Sequence, residues 1–151
     1  MSAAPDEPRA WLVRGNLLLN VGPMGDGSLM PEQRSILGAM QRWLAGNKDT
    51  IVGTEPGLEP WQFYGPSTKR GNTTYLHLLM RPYETVTVRG VPIKKVRGAR
   101  VFASGQGLSF TTRCAILDQW FNPNPLGEVT IDVPEDVLDS FATVLALEID
   151  E

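Results

Sequence analysis

The chain has 151 residues, 42% of them hydrophobic, and a net charge of −3. This composition excludes a disordered or fibrous class and leaves room for one ordinary domain with a real core. Without a clustered Lys/Arg surface no nucleic-acid partner is expected, and no apolar run approaches the roughly 18–20 residues of a membrane span.

The first residues are polar and Pro-containing, which predicts a flexible leader over 1–14. They lack the charged-then-apolar pattern of an export signal, so a cytoplasmic location is the default expectation. Gly15-Asn16-Leu17-Leu18-Leu19-Asn20-Val21-Gly22-Pro23 is nearly continuous in apolar side chains and ends at Gly-Pro. That pattern predicts a strand covered on both faces, as in a parallel sheet. Met24-Gly25-Asp26-Gly27-Ser28 reads as a loop of turn residues.

From Pro31 to about Ala45 the spacing predicts an amphipathic helix. Ile36, Leu37, Met40, Trp43 and Leu44 recur on one face. Pro31 suits the first turn, where its missing N–H costs nothing, and Glu32 faces the positive end of the dipole. Gly46-Asn47 predicts a left-handed stop. Residues 15–54 thus form a strand–loop–helix unit, one β/α step, which cannot bury a two-faced strand by itself.

The segment 55–71 is rich in Pro, Gly and polar residues and predicts a linking loop. Beyond it, strand-like runs at 73–80, 85–88, 94–102, 108–112, 128–133 and 143–149 alternate with turns. Such regular short strands predict an antiparallel sandwich over 72–151. Gly105-Gln106-Gly107 reads as a hairpin turn. The basic run from Lys94 to Arg100 alternates as the solvated face of a strand does. Val133-Pro134-Glu135-Asp136-Val137-Leu138-Asp139 predicts a short helical turn with solvated acids. The fold class is therefore mainly β: an antiparallel β-sandwich preceded by a strand–loop–helix remnant of a (β/α) barrel.

Two stretches carry a resemblance. Gly15-Asn16-Leu17-Leu18-Leu19-Asn20-Val21-Gly22-Pro23, Asp26-Gly27-Ser28-Leu29, Trp43-Leu44, Asn47 and Ile51-Val52-Gly53-Thr54 resemble the last barrel strand, loop and helix of glycoside hydrolase family 29, the retaining α-L-fucosidases. Thr74-Tyr75-Leu76-His77-Leu78-Leu79 and Ile93-Lys94-Lys95-Val96 fit the C-terminal sandwich of that family more loosely. Asn47-Lys48-Asp49-Thr50 stands where the family usually has Asn-Gly-Glu-Ala, and 113–127 looks like an insertion. The resemblance implies a C-terminal portion of a fucosidase. Retaining glycosidases need two carboxyl groups about 5–5.5 Å apart, and the resemblance places both in earlier barrel segments. No catalytic residue is therefore carried onto this sequence, and whether the isolated chain is an enzyme stays open. In a complete barrel, Asn20, Gly22, Pro23 and Met24 would lie on the active-site rim.

The residues themselves offer little other chemistry. Single His77 and Cys114 cannot make a typical zinc site, and no metal or organic cofactor is implied. His77 reads as a structural strand histidine and Cys114 as a buried inert thiol. Trp61, Phe63 and Tyr64 cluster in the linking segment; Trp120 and Phe121 cluster in the insertion. The expectation is that each plugs a seam or caps the core. The rival is sugar stacking on Trp61, Tyr64 and Trp120, since an aromatic face covers the C–H face of a pyranose. Three functions follow: an accessory domain of a fucosidase, a carbohydrate-binding module, or a self-associating protein or split-enzyme subunit. Their partners would be a fucosylated glycan, a separate catalytic barrel, or a second copy of the chain.

Overall fold

A computed structural model of the chain describes residues 19–150. The predicted leader over 1–14, and the predicted strand through Leu18, lie outside the described residues. The chain divides into two compact units, one ending at Lys48 and one beginning at Asp49.

The first unit is built around helix α1, Pro31–Asn47. Pro31 opens it and Glu32 lies in its first turn, as the sequence predicts. Its end differs. Gly46 and Asn47 are not left-handed; the helix tightens into a 3-10 turn over Lys48–Thr50, and the positive φ comes only at Gly53, at 70°. The Asn47 amide donates to the Trp43 carbonyl at 3.0 Å, and the Lys48 N–H bonds to the Leu44 carbonyl, so the helix continues through the predicted stop. The expected strand also differs over its described part. Leu19, Asn20, Val21 and Gly22 join no ladder, and the region's pairing is a single bridge between Pro23 and Leu29. A parallel strand needs a neighbour beside it, and the helix that follows cannot supply one.

The second unit is a sandwich of two antiparallel sheets. Nine strands follow in chain order: β1 Glu55–Pro56, β2 Ser67–Arg70, β3 Thr73–Leu78, β4 Thr85–Pro92, β5 Val96–Val101, β6 Gly107–Leu108, β7 Phe110–Arg113, β8 Leu126–Asp132 and β9 Thr143–Ile149. The larger sheet runs β1-β2-β3-β9-β5-β6 and the smaller β4-β8-β7. The last strand, β9, therefore sits inside the larger sheet, between β3 and β5. Segment 55–71, expected as a linking loop, contributes β1 and β2 instead. Ser67-Thr68-Lys69-Arg70 has no apolar alternation because it borrows its order from β3, pairing Ser67 with Leu76 and Arg70 with Thr73.

Alternation decides what goes inside. Leu76 and Leu78 on β3, Leu145 and Leu147 on β9, and Ala99 and Val101 on β5 meet Val86, Val88 and Val91 on β4 and Val129 and Ile131 on β8. Phe63 enters the same core from the loop before β2. The predicted run from Lys94 begins differently: Ile93–Lys95 is a 3-10 turn, and the strand starts at Val96. In 113–127, part of the stretch forms a short helix α2, Ile116–Phe121. The predicted turn after Pro134 is present as Glu135–Val137.

Candidate functional site

Three places carry the candidate residues. The first is the loop before α1. Asn20, Gly22, Pro23 and Met24 are all exposed. The Met24 N–H donates to the Ser28 carbonyl at 2.8 Å and the Gly27 N–H to the Met24 carbonyl at 2.9 Å, which closes the loop on itself. The Asp26 carboxylate accepts from the Ser28 N–H at 2.9 Å and the Ser28 hydroxyl at 2.7 Å. Those bonds favour the ionised form and hold its pKa below the usual carboxylate value. Beside it lies an open hollow lined by Met24, Ser28, Leu29, Pro31, Arg34 and Ser35. A loop of this kind can shape a rim. Its carboxylate, kept ionised and tied to its own turn, is unsuited to donate a proton.

The second place is the hook over 59–64. The Gln62 and Phe63 N–H groups both donate to the Glu59 carbonyl, and the Glu59 N–H donates to the Gln62 side-chain oxygen at 3.0 Å. The Gln62 amide reaches the Arg89 and Gly90 carbonyls at 3.3 and 3.2 Å, while the Arg89 N–H donates to the Gln62 carbonyl at 2.9 Å. Phe63 anchors the hook in the core, 2% exposed, with Tyr64 tilted against it at 4.8 Å. Trp61 and Tyr64 stay outside, 64% and 51% exposed. Partial burial raises the Tyr64 phenol above its ordinary pKa.

The third place is α2, where Ile116, Leu117, Trp120 and Phe121 are all exposed. Of the aromatics expected to plug a seam or cap the core, Phe63 alone is buried. Trp61, Tyr64, Trp120 and Phe121 face water. Phe63 fills the place beneath the hook, and among the described residues no layer covers the four large apolar side chains of the six-residue α2. Trp61, Tyr64 and Trp120 come from separate segments: two on the hook and one on α2.

Other reactive groups serve the fold. His77 is buried, and desolvation lowers its pKa. The Thr68 hydroxyl donates to the Thr50 carbonyl and lies 3.2 Å from His77 Nε2. That hydroxyl has spent its proton, so Nε2 must be the donor to it. Cys114, expected to be buried, is half-buried. Glu128 pairs with Arg89 and Arg113, Glu135 with Arg81, Glu148 with Arg100 and Asp150 with Arg97. Asp132 accepts from the Ser109 hydroxyl, and Asp139 from the Phe141 N–H. Among the described residues no three His, Cys, Asp or Glu side chains gather as a metal group would.

One feature of this surface is absent from the candidate residues named by sequence: Gly90 with its neighbours Gln62 and Arg89. An isolated glycine inside the strand pattern Val88-Arg89-Gly90-Val91 was the available signal, since such a glycine marks a bulge or a close approach.

Comparisons with known proteins converge. The α-L-fucosidase family model matches residues 13–49. An α-L-fucosidase of Branchiostoma floridae is 32% identical over 85 residues, and the human tissue α-L-fucosidase is 33% identical over 82. Each alignment takes in 52% of this chain and 18% of the relative, so the chain spans a minor part of those proteins. α-L-Fucosidase isoenzyme 1 of Paenibacillus thiaminolyticus has a similar structure, with TM-score 0.69 and 29% identity, over 90% of this chain and 31% of that one. Thermotoga maritima α-fucosidase, in complex with a mechanism-based inhibitor, gives TM-score 0.63 and 28% identity over 88% and 30%. By motif at its start and by fold along most of its length, the chain matches a C-terminal portion of the α-L-fucosidases.

Proposed function

We propose that the chain is the non-catalytic C-terminal accessory portion of a retaining α-L-fucosidase. In the complete enzyme, barrel segments elsewhere would supply the nucleophile and the acid/base carboxyl, about 5–5.5 Å apart. The observation that carries this reading is coverage: each alignment with a fucosidase relative takes in only 18% of that protein. Asp26, Glu128, Asp132, Glu135, Asp139, Glu148 and Asp150 are each tied to a structural donor or ion pair. A general acid instead needs a carboxyl whose surroundings favour the protonated form. The loop carrying Asn20, Gly22, Pro23 and Met24 would contribute to the rim of the fucose pocket once the barrel is present.

Hydrolysis of an aryl α-L-fucoside by the purified chain tests this directly. Inactivity is expected. Turnover abolished by one carboxylate substitution in this chain would refute the reading.

A second reading rests on the first unit. Leu19, Val21, Met24, Met30, Ile36 and Leu44 are exposed. Each aliphatic side chain buried contributes roughly 1.5–3 kcal/mol, so such a surface favours a partner, either a separate barrel or a second copy. Light scattering on the same sample separates the two readings: a monomer at high concentration counts against self-association.

A further inference from the structure

We infer that the Trp61 hook is a preformed sugar-stacking platform for a neutral oligosaccharide, seated on Gly90 and flanked by the polar outer face of the β4-β8-β7 sheet. This goes beyond the accessory reading, because it assigns the sandwich unit a binding activity of its own.

The argument begins at Gly90. It sits where the β4–β8 register slips between Arg89 and Val91, with φ of 63°. A Cβ at this position would overlap the rim of the Trp61 indole. Glycine therefore serves twice, adopting a left-handed conformation and letting the ring close onto backbone. The hook holding the indole is fixed at three points: Phe63 in the core, the Gln62 amide on two β4 carbonyls, and the Arg89 N–H on the Gln62 carbonyl. The ring nonetheless remains 64% exposed. The three contacts hold the backbone next to Trp61, and the rim of its indole lies over Gly90. Fixing the ring in advance lowers the entropy lost when a ligand docks on it.

The adjoining sheet supplies hydroxyl-binding groups. Arg89, Glu128 and Arg113 lie side by side across β4, β8 and β7, with Glu128 at 3.3 Å from Arg89 and 2.7 Å from Arg113. Thr87, Thr130 and Thr111 form the next row on the same face. The arginines donate, the carboxylate accepts and the hydroxyls do both, which is what vicinal sugar hydroxyls require. A protein partner would favour an apolar surround at the centre of its footprint. A ring with a flat C–H face and a polar rim fits this pairing of one indole with an ionic and hydroxyl-bearing sheet. Trp120 has no such seat: it stands on α2 among Ile116, Leu117 and Phe121.

The test is a titration of the ¹⁵N-labelled chain with 2′-fucosyllactose, following the four indole N–H signals, assigned through Trp→Phe variants. Trp61 should shift saturably and Trp120 should not. Trp61→Ala should weaken binding about tenfold or more. Gly90→Ala, which keeps the indole but removes its seat, should also weaken it, and Trp120→Ala should not. A static Trp61 signal at millimolar glycan, or undiminished affinity in Trp61→Ala, would overturn the proposal. The wild-type titration decides even if a variant fails to fold. Fucoside hydrolysis by the same samples bears on the accessory reading alone, so either conclusion can fall without the other.

Discussion

From Asp49 onward, Leu76, Val88, Val129, Ile131, Leu145 and Leu147 are fully buried between two sheets. In the unit ending at Lys48, Leu19, Val21, Met30, Ile36 and Leu44 remain exposed, Leu37, Met40 and Trp43 are half-buried, and the fully buried residue of α1 is the polar Asn47. Both units carry the apolar residues that their secondary structure calls for. They differ in whether a second layer exists to receive them. A sheet can be covered by another sheet of the same unit, whereas the described residues of the first unit offer α1 no second sheet or long helix and cover its face only in part. Secondary structure and burial are thus separable here: α1 forms with its apolar face half-buried at most, while the sandwich strands form with theirs filled.

The sharpest way to break this comparison is to remove β9. A chain ending at Ser140 loses the strand between β3 and β5, so its far-UV strand signal and cooperative unfolding should disappear. Persistent cooperative unfolding would mean that the sandwich does not depend on its central strand.

Next in size are single truncations. Leu145→Ala or Ile131→Ala should lower stability by about 2–5 kcal/mol in urea unfolding, because each leaves a cavity in a filled core. Ile36→Ala, on the open face of α1, should stay within about 0.5 kcal/mol. Equal effects would show that the helix face is covered in solution, as self-association would do.

A smaller effect belongs to pH. Burial lowers the His77 pKa, so the folded state prefers the neutral imidazole. Its contribution is complete above the unfolded value of about 6.5, and it is lost as pH falls from there through the lower folded value. The urea midpoint should therefore decline on acidification through this window. His77→Asn should flatten that part of the profile, although it lowers stability overall by disturbing the Thr68 and Thr50 contacts.

Gly90→Ala acts at the surface rather than in the core. A left-handed φ and the indole both oppose a Cβ, so a loss of roughly 1 kcal/mol or more is expected. It should be accompanied by a shift in tryptophan emission, since the exposed ring can move aside where core atoms could not.

Strand alternation, the Pro31 helix start and the turn after Pro134 were legible in the sequence because each depends on neighbours within a few residues. The fucosidase motif was legible for the same reason, concentrated in the stretch that the family model matches. The expectation that the catalytic carboxyls lie in other segments came from the family resemblance rather than from any spacing. Only tertiary structure decided that Ser67-Thr68-Lys69-Arg70 is a strand, because its order comes from β3. Only tertiary structure separated buried Phe63 from exposed Trp61, two residues apart in one hook. And only tertiary structure brought Gly90 beneath Trp61 across 29 positions of chain. Local pattern fixes which elements form; which side chains face a partner layer, water or one another depends on contacts between distant segments, and those exist only once the two sheets have closed.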